Sequence, residues 1–271
     1  QDADLDGYPD SWADGCDVNC QNVSGLTLDS YLNDTDNDGI NNSDDTDDNN
    51  DGIMDADADS DGLIDISSLE QLDAIRYNLA GSGRTLVDGG DSDSSGCPAT
   101  VIDGLMQLLC TGYELIISLD FDTNADGLID ENDTYWNDVL GWEPVGSEES
   151  PFSGVFDGRG HELLNLYINR PTEFDVGLFG VVSGEGAMVS NLGIVGKLSN
   201  VIGRYDVGLL AGWVGVGAEV SNSYAKGVVS GSEYVGGLVG YLSEGSRISR
   251  SFALSDVSGE IGIGGLVGVV E

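Results

Sequence analysis

Short apolar segments that end in glycine recur along the second half of the chain. A first set of such segments begins at Val176, Val207, Val235 and Ile263. The spacing between successive members is 31, 28 and 28 residues. A second set, separated by 31 and 28 residues, begins at Val189, Val220 and Ile248. Two sets of segments that share one period are typical of a repeat protein, in which each unit stacks on the one before it.

The residue types within each repeat predict strands rather than helices. Val, Leu, Ile and aromatic residues alternate with tight glycine turns, and this pattern favours short β-strands. A β-sandwich also contains regular turns, but it does not require near-identical sequence every 28 residues, whereas stacked units do. The sequence therefore predicts a mainly β chain built as a parallel β-solenoid with repeats of about 28 residues.

One amphipathic helix is expected before this region. Leu69, Leu72, Ile75 and Leu79 recur at helical spacing directly after two serines, and Glu70 and Gln71 follow the serines closely. This arrangement is typical of a capped helix. Residues 81–98 are rich in Gly, Ser and Asp and are predicted to form a loop.

Residues 1–65 show almost no apolar periodicity and contain four copies of an Asp-rich cassette instead. Each copy places side-chain oxygens at positions 1, 3, 5 and 9, glycine at position 6, and a residue at position 7 that offers its backbone carbonyl. A large, hard cation such as calcium requires this set of ligands. A fifth cassette occurs at 122–133. The predicted calcium ligands are Asp2, Asp4, Asp6, Tyr8, Asp10, Asp34, Asp36, Asp38, Ile40, Asn42, Asp45, Asp47, Asn49, Asp51, Ile53, Asp55, Asp57, Asp59, Asp61, Leu63, Asp65, Asp122, Asn124, Asp126, Leu128, Asp130 and Asp133.

The cassettes differ at position 12, where a calcium loop usually carries an acid. Only the second and fifth cassettes have one, namely Asp45 and Asp133. The other three must take a ligand from farther along the chain, and Asp14, Asp59 and Glu70 are candidates. The fifth cassette is therefore the most complete of the five.

The charge distribution supports bound cations. The formal net charge is -40, and 37 of the 49 acidic residues but only 2 of the 9 basic residues lie in residues 1–150. Such a segment repels itself unless cations neutralise it, so its folding is expected to depend on metal. Nucleic acid and anionic membranes are poor partners for this charge, and the apolar stretches are too short to span a bilayer.

The four cysteines favour an oxidising compartment. Cys16 and Cys20 lie close together, and Cys97 and Cys110 bracket a short apolar segment, so two local disulfides are the simplest pairing among three. The spacing does not fit zinc, and His161 is the single histidine. Disulfides together with several calcium ions predict a secreted or cell-surface protein.

The repeats also carry a resemblance. The segment Val235-Gly-Gly-Leu-Val-Gly and its counterparts resemble the GLUG repeat of bacterial surface proteins, and residues 113–168 resemble the block that precedes those repeats. Residues 1–65 are similar to thrombospondin type 3 calcium repeats. The resemblance implies a secreted or surface-anchored bacterial protein, often an adhesin or a stalk, and implies no activity for this segment.

Three regions follow from these patterns. Residues 1–66 are predicted to be Asp-rich calcium repeats, and residues 67–112 a helix with a cysteine-bracketed loop. Residues 113–271 are predicted to form the solenoid, with the calcium loop at 122–133 and GLUG repeats at 176–271.

Two enzymatic interpretations are weaker than a structural one. Paired acids for glycoside cleavage are scarce outside the cassettes, and the basic residues that a lyase needs are few and dispersed. His161 follows a tight turn with no nucleophile motif near it. Trp136, Trp142 and Trp213 could offer a surface for sugar stacking, but they more often fill a solenoid core or cover one of its faces. The sequence predicts no catalytic residue and no organic cofactor.

The functional prediction is a secreted, calcium-stabilised structural protein for adhesion or extracellular assembly, acting as a stalk or a filament subunit. The alternatives are a glycan-binding module and, less favoured, a β-helix enzyme that degrades polysaccharides. The chain stops at Glu271 without a polar capping repeat. Two explanations are open, a longer native protein or end-to-end self-association through the solenoid edges.

Overall fold

A computed structural model describes residues 55–85, 92–102 and 105–271. It contains one α-helix, α1 (Leu69–Ala74), which continues as a 3-10 turn (Ile75–Tyr77). The strands are β1 (Ile64–Ile66), β2 (Arg84–Thr85), β3 (Ser92–Asp93), β4 (Ala99–Ile102), β5 (Leu105–Leu108), β6 (Gly112–Leu115), β7 (Leu119–Asp120), β8 (Val155–Asp157), β9 (Glu162–Leu164), β10 (Tyr167–Asn169), β11 (Phe174–Val176), β12 (Phe179–Val182), β13 (Met188–Ser190), β14 (Gly193–Val195), β15 (Asn200–Ile202), β16 (Tyr205–Val207), β17 (Ala211–Val214), β18 (Glu219–Ser221), β19 (Tyr224–Ala225), β20 (Val228–Ser230), β21 (Glu233–Gly236), β22 (Val239–Leu242), β23 (Arg247–Ser249), β24 (Phe252–Ala253), β25 (Asp256–Ser258), β26 (Ile261–Gly264) and β27 (Val267–Val270).

The strands from β8 onward form a parallel β-solenoid of four coils. Each coil contributes five short strands, which pair with the equivalent strands of the coils before and after it. One sheet has the strand order β1-β6-β8-β13-β18-β23, and a second has the order β24-β19-β14-β9-β7. Three four-stranded sheets complete the wall, β10-β15-β20-β25, β11-β16-β21-β26 and β12-β17-β22-β27. The predicted β-solenoid is confirmed.

The repeat spacing in the sequence is the register of the sheets. Val176 pairs with Val207, which pairs with Val235, which pairs with Ile263. The 31- and 28-residue spacings therefore place equivalent side chains directly above one another. The first three of these residues are fully buried, and burying apolar surface in such columns is the main favourable term for stacking the coils.

The helix forms where it was expected, but it is short. Ser68 caps it, since its side-chain oxygen accepts a hydrogen bond from the backbone N–H of Gln71 at 3.2 Å. Leu72 and Ala74 point into the core. The chain leaves helical geometry at Asn78, whose φ is -144° and ψ is 77°. Leu79 consequently reaches the core from the turn after the helix.

The solenoid sheet begins inside the last N-terminal cassette. Strand β1 pairs in parallel with β6, so that Ile64 lies beside Tyr113 and Ile66 beside Leu115. Two antiparallel hairpins, β2 with β3 and β4 with β5, lie between these strands in the sequence. The cassette 57–65 is thereby attached directly to the first edge of the solenoid.

Candidate metal sites

Two of the five Asp-rich cassettes fall completely within the described residues, namely 57–65 and 122–133. The first two cassettes and most of the third, from Asp2 to Ile53, lie outside them. Asp55, the last predicted ligand of the third cassette, is buried, and its backbone carbonyl accepts a hydrogen bond from Arg84 at 3.2 Å.

Asp57 organises the loop 57–65. Its Oδ1 accepts the backbone N–H of Asp61 at 3.1 Å, and its Oδ2 accepts that of Gly62 at 2.8 Å. Asp61 Oδ1 accepts the N–H of Leu63 at 3.0 Å. Ser60 and Gly62 adopt left-handed φ values of 54° and 94°. These bonds wrap the backbone tightly around the Asp57 carboxylate.

The loop 122–133 has the same arrangement. Asp122 Oδ1 accepts the N–H of Asp126 at 3.1 Å, and Oδ2 accepts that of Gly127 at 2.9 Å. Asp126 Oδ1 accepts the N–H of Leu128 at 2.9 Å. Ala125 and Gly127 have left-handed φ values of 56° and 84°. Positions 1, 4, 5, 6 and 7 of the two cassettes therefore share one backbone conformation and one set of hydrogen bonds.

The two loops are closed by different residues. In 122–133 the acid at position 12, Asp133, accepts the N–H of Thr123 at 2.7 Å and that of Asp130 at 2.9 Å. In 57–65 the acid at position 9, Asp65, accepts the equivalent N–H, that of Ala58, at 3.0 Å. The residue at position 12 of that cassette is Ser68, which caps α1. Asp65 thus supplies a closing contact that the missing acid at position 12 would otherwise make.

The two loops also differ in how closely their acids converge. Carboxylate oxygens of Asp57, Asp59 and Asp61 lie within 4.8 Å of one another, and no other all-carboxylate trio of this kind occurs among the described residues. In the loop 122–133 the third position is Asn124, whose Nδ2 donates to Asp126 Oδ2 at 3.2 Å. Asp57 also lies near Cys97 and Cys110. Those sulfurs are bonded to each other and are not available as metal ligands.

Burial raises the pKa values of the acids around the loop 57–65. It raises the pKa of Asp57 to about 7 and that of Glu114 to about 8. The pKa values of Asp61 and Asp65 are raised as well, again mainly by burial, with repulsion from Asp59 adding to it. Desolvated carboxylates that repel one another are suited to a cation that would neutralise them. The donor set, which is all oxygen, fits a hard cation such as calcium.

The predicted disulfide between Cys97 and Cys110 is confirmed, with a sulfur–sulfur distance of 2.00 Å, and it supports this loop. Cys110 Sγ lies 3.4 Å from Asp57 Oδ2. The N–H of Asp57 donates to the carbonyl of Ser95 at 3.2 Å, and that of Ala56 donates to Ser95 Oγ at 3.0 Å. The predicted partner pair Cys16 and Cys20 lies outside the described residues.

Arg159 joins the loop 57–65 to the solenoid. Its Nη1 lies 3.1 Å from Asp59 Oδ2 and also contacts Oε1 of Glu114, whose side chain is buried. Arg159 is in the turn between β8 and β9. Sequence reasoning did not associate it with the cassette, because 100 residues separate Arg159 from Asp59 and no local pattern relates them.

The loop 122–133 is anchored by an aromatic cluster. Phe121 precedes the loop and Tyr135 follows it, and their ring centroids lie 5.5 and 5.4 Å from that of Trp142. Trp142 is fully buried and donates through Nε1 to the carbonyl of Leu178 at 3.0 Å. The expectation that a tryptophan fills the core is confirmed at this position.

An open groove lies beside Arg159, lined also by Gly160, Asn191, Asn222 and Tyr224, with a volume of about 460 Å³. The ring of Tyr224 is stacked on that of Phe252. Of the helices in residues 55–85, 92–102 and 105–271, none has the length and hydropathy needed to cross a bilayer.

Comparisons with known proteins show that the chain is similar in sequence to parts of two large proteins. It is 33% identical over 126 residues to a provisionally named Gly-rich membrane protein of Evansella cellulosilytica, and the match covers 46% of this chain and 13% of that protein. It is 38% identical over 94 residues to halomucin of Haloquadratum walsbyi, covering 34% of this chain and 1% of halomucin. The matched segments are therefore small parts of these relatives.

A solved structure shares the fold. It is a Bacteroides ovatus protein provisionally named an immunoglobulin A1 protease, with a TM-score of 0.50 and 18% identity over 80% of this chain and 64% of that one. At this identity the likeness concerns the fold alone. No family model matches the chain, so the resemblance to GLUG and thrombospondin type 3 repeats stays a prediction.

Proposed function

We propose that this chain is a calcium-stabilised structural segment of an extracellular or cell-surface protein. The observation that carries the proposal is the shared hydrogen bonding of the loops 57–65 and 122–133, in which the backbone N–H groups of positions 5 and 6 wrap around the aspartate at position 1. Both loops also carry side-chain oxygens at the alternating positions that a calcium loop uses. The relatives support a surface location, since one is named a membrane protein and the other halomucin.

Each loop offers a defined set of oxygens to the ion. In 57–65 these would come from Asp57, Asp59, Asp61, Asp65 and the carbonyl of Leu63. In 122–133 they would come from Asp122, Asn124, Asp126, Asp130, Asp133 and the carbonyl of Leu128. Bound calcium would supply positive charge to carboxylates that otherwise repel one another, and its binding energy would add to folding stability.

The test is calcium binding and calcium-dependent unfolding of variants that keep the shape of each loop. Asp61→Asn and Asp126→Asn retain the Oδ1 atom that accepts the N–H two residues later, but each removes one negative charge. We expect each variant to lose one calorimetric binding event or to weaken it at least about tenfold, which is about 1.4 kcal/mol. Asp256→Asn, an exposed acid of the solenoid, is the matched control.

The calcium responses of the variants test each of the two loops individually. If calcium raises the unfolding temperature of the wild type and of Asp256→Asn, but less in each loop variant, the proposal holds. Equal calcium responses in all four proteins would show that these loops are not the binding sites.

The finer role within this proposal is adhesion or extracellular assembly, as a stalk or as a filament subunit. The parallel coils make a regular stacked support, which suits either role. Negative-stain electron microscopy in millimolar calcium and after chelation distinguishes them. Filaments that disappear on chelation would indicate calcium-dependent assembly, whereas separate rods in both conditions would indicate a stalk segment.

Glycan binding is the second candidate, because the groove beside Arg159 presents a guanidinium and the amides of Asn191 and Asn222. Such groups can form hydrogen bonds with sugar hydroxyls. Thermal unfolding measured across an oligosaccharide panel tests it. A stabilising glycan whose effect is lost in Asn222→Ala would support binding at this groove.

A further inference from the structure

Two aspartates that belong to none of the cassettes are stacked in consecutive coils. The register pairs Phe174 with Tyr205 and Val176 with Val207, so Asp175 and Asp206, which lie between them, occupy the same position of β11 and β16. Both have left-handed backbones, with φ values of 53° and 51°. Adjacent strands of a sheet are about 4.8 Å apart, so the two residues are close neighbours.

Glycines of the next strand cover the backbones of both residues. A methyl group on Gly212 would overlap the backbone of Asp175, and one on Gly240 would overlap that of Asp206. Strands β17 and β22 therefore approach the column closely. This close packing removes water from part of each carboxylate.

The Asp206 carboxylate is incompletely satisfied in this environment. Its Oδ1 is buried and has no hydrogen-bond partner, and it is the single buried side-chain oxygen or nitrogen in the described part of the chain with this property. An unpaired buried acceptor costs about 1–3 kcal/mol, and an ionised one costs more. The folded state thus disfavours the charged form of this group.

The charged groups around the column do not offset the negative charges of Asp175 and Asp206. Asp175 and Glu233 act on Asp206 as negative neighbours, and Glu148 acts on Asp175. Arg204 lies over the rings of Phe174 and Tyr205, 5.6 and 4.9 Å from their centroids. Among the ion pairs of the described residues, none includes Asp175 or Asp206.

Two tyrosines complete the surroundings. Tyr234 occupies the equivalent left-handed position of the third coil, with a φ of 56°, and its ring lies 6.0 Å from that of Tyr241. A hydrogen bond to Glu271, followed by burial, raises the pKa of Tyr241 to about 12, and the charges of Glu271 and Asp206 add to this effect. At neutral pH the phenol of Tyr241 is therefore uncharged and does not offset the acids.

We propose that the folded solenoid keeps a proton on Asp206 until the pH approaches neutrality, and that loss of this proton weakens the packing of the second coil. The column of Asp175 and Asp206 is then a pH-responsive element of the coil wall. A protonated Asp206 removes the repulsion between the stacked carboxylates and gains a hydroxyl that can donate a hydrogen bond. Ionisation of both residues at alkaline pH restores the repulsion without a counter-charge.

The pKa values support this direction. Burial first, and then repulsion from Asp175 and Glu233, raises the pKa of Asp206 to about 7, and burial raises that of Asp175 to about 6. Both values exceed 3.8, the ordinary value for aspartate, so the folded state binds more protons than the unfolded chain between these limits. Stability from this column is therefore complete below about pH 4 and is lost as the pH rises through about 7.

The test is denaturant unfolding of the full chain between about pH 5 and about pH 8.5 in saturating calcium. Calcium loops lose affinity on acidification, which has the opposite sign, so the variants are compared with the wild type at each pH. Asp206→Asn keeps the size of the side chain and suits a left-handed backbone, and it cannot ionise. Asp256→Asn, an exposed acid in another sheet, is the matched control.

We expect Asp206→Asn to become more stable than the wild type as the pH rises. The ratio of the folding equilibrium constants of the variant and the wild type should increase by up to about tenfold per pH unit. The stability of Asp256→Asn should change with pH in the same way as that of the wild type. A second variant, Asp175→Asn, should lower the pH at which Asp206 loses its proton, because it removes a negative neighbour.

A direct measurement is the pH titration of the Asp206 carboxyl carbon by NMR in the folded protein. A midpoint near pH 7 that moves down in Asp175→Asn would support the proposal. A midpoint below about pH 5, or an Asp206→Asn variant whose stability changes with pH as that of the wild type does, would overturn it.

Discussion

The guanidinium of Arg159 lies 3.1 Å from the carboxylate of Asp59, although 100 residues separate them in the sequence. The same guanidinium contacts Glu114, which is 1% exposed in its side chain. One cation therefore connects a turn of the solenoid, strand β6 and an acidic loop. This connection makes the loop 57–65 part of the solenoid end rather than a separate appendage.

Removing this cation should destabilise the fold. Above about pH 8, where Glu114 is ionised, Arg159→Met leaves its buried carboxylate without a counter-charge, and we expect a loss of about 2 kcal/mol in the free energy of unfolding, reduced from a fully buried pair because Arg159 is 43% exposed. Urea unfolding measures the change. Glu114→Gln in the same protein should restore part of the loss, because it removes the unpaired charge.

Arg250→Met is the matched control for that experiment. It removes the same charge from an exposed position, where Arg250 contacts Asn222 Oδ1 at 2.7 Å. We expect the free energy of unfolding to change by less than about 0.5 kcal/mol. An equal loss in both variants would mean that the contact with Glu114 contributes nothing particular.

The disulfide should act selectively on one acidic loop. Replacing Cys97 and Cys110 by serine removes a disulfide that joins residues 13 positions apart. We expect the free energy of unfolding to fall by about 3 kcal/mol. Because Cys110 and Ser95 pack directly on Asp57, amide exchange should accelerate in 57–65. The loop 122–133 provides the internal control, and equal acceleration in both loops would contradict a local role.

Close packing between strands makes a specific glycine indispensable. A methyl group on Gly212 overlaps the Asp175 backbone, so Gly212→Ala should cost about 3 kcal/mol or more. Gly265→Ala is the control, since its methyl group would meet no atom within 4 Å. Thermal unfolding of the two variants should differ clearly, and similar values would show that the strands can move apart without cost.

The aromatic cluster should support the loop 122–133. Trp142→Phe removes the bond to the carbonyl of Leu178 and leaves a cavity, so we expect a loss of about 2–3 kcal/mol. Trp136→Phe, at a partly exposed ring stacked on Tyr167, should cost less than about 1 kcal/mol. Urea unfolding compares them, and equal losses would argue against a special role for the buried ring.

Local patterns in the sequence were sufficient for several features. The repeat spacing predicted the parallel register, Ser68 predicted the start of the helix, and the short separation of Cys97 and Cys110 predicted their bond. The cassettes predicted loops that turn around Asp57 and Asp122. Each of these signals lies within one element or repeats at a constant interval, so no knowledge of distant contacts was needed.

The features that were missed depend on contacts between distant residues. Arg159 gave no signal in the sequence, since its partners Asp59 and Glu114 lie 100 and 45 residues away. Asp65 was recognised as a ligand candidate, but its bond to Ala58 became visible only with the loop folded. The unpaired oxygen of Asp206 likewise arises from packing.

The amino-acid sequence by itself determined the repeat architecture and the positions of the acidic loops, because periodic burial and the spacing of aspartate and glycine are local properties. Tertiary structure decided which charges are buried, which are paired and which are stacked. Those outcomes depend on the distance between coils and on the exclusion of water, which arise only when strands from separate parts of the chain come together.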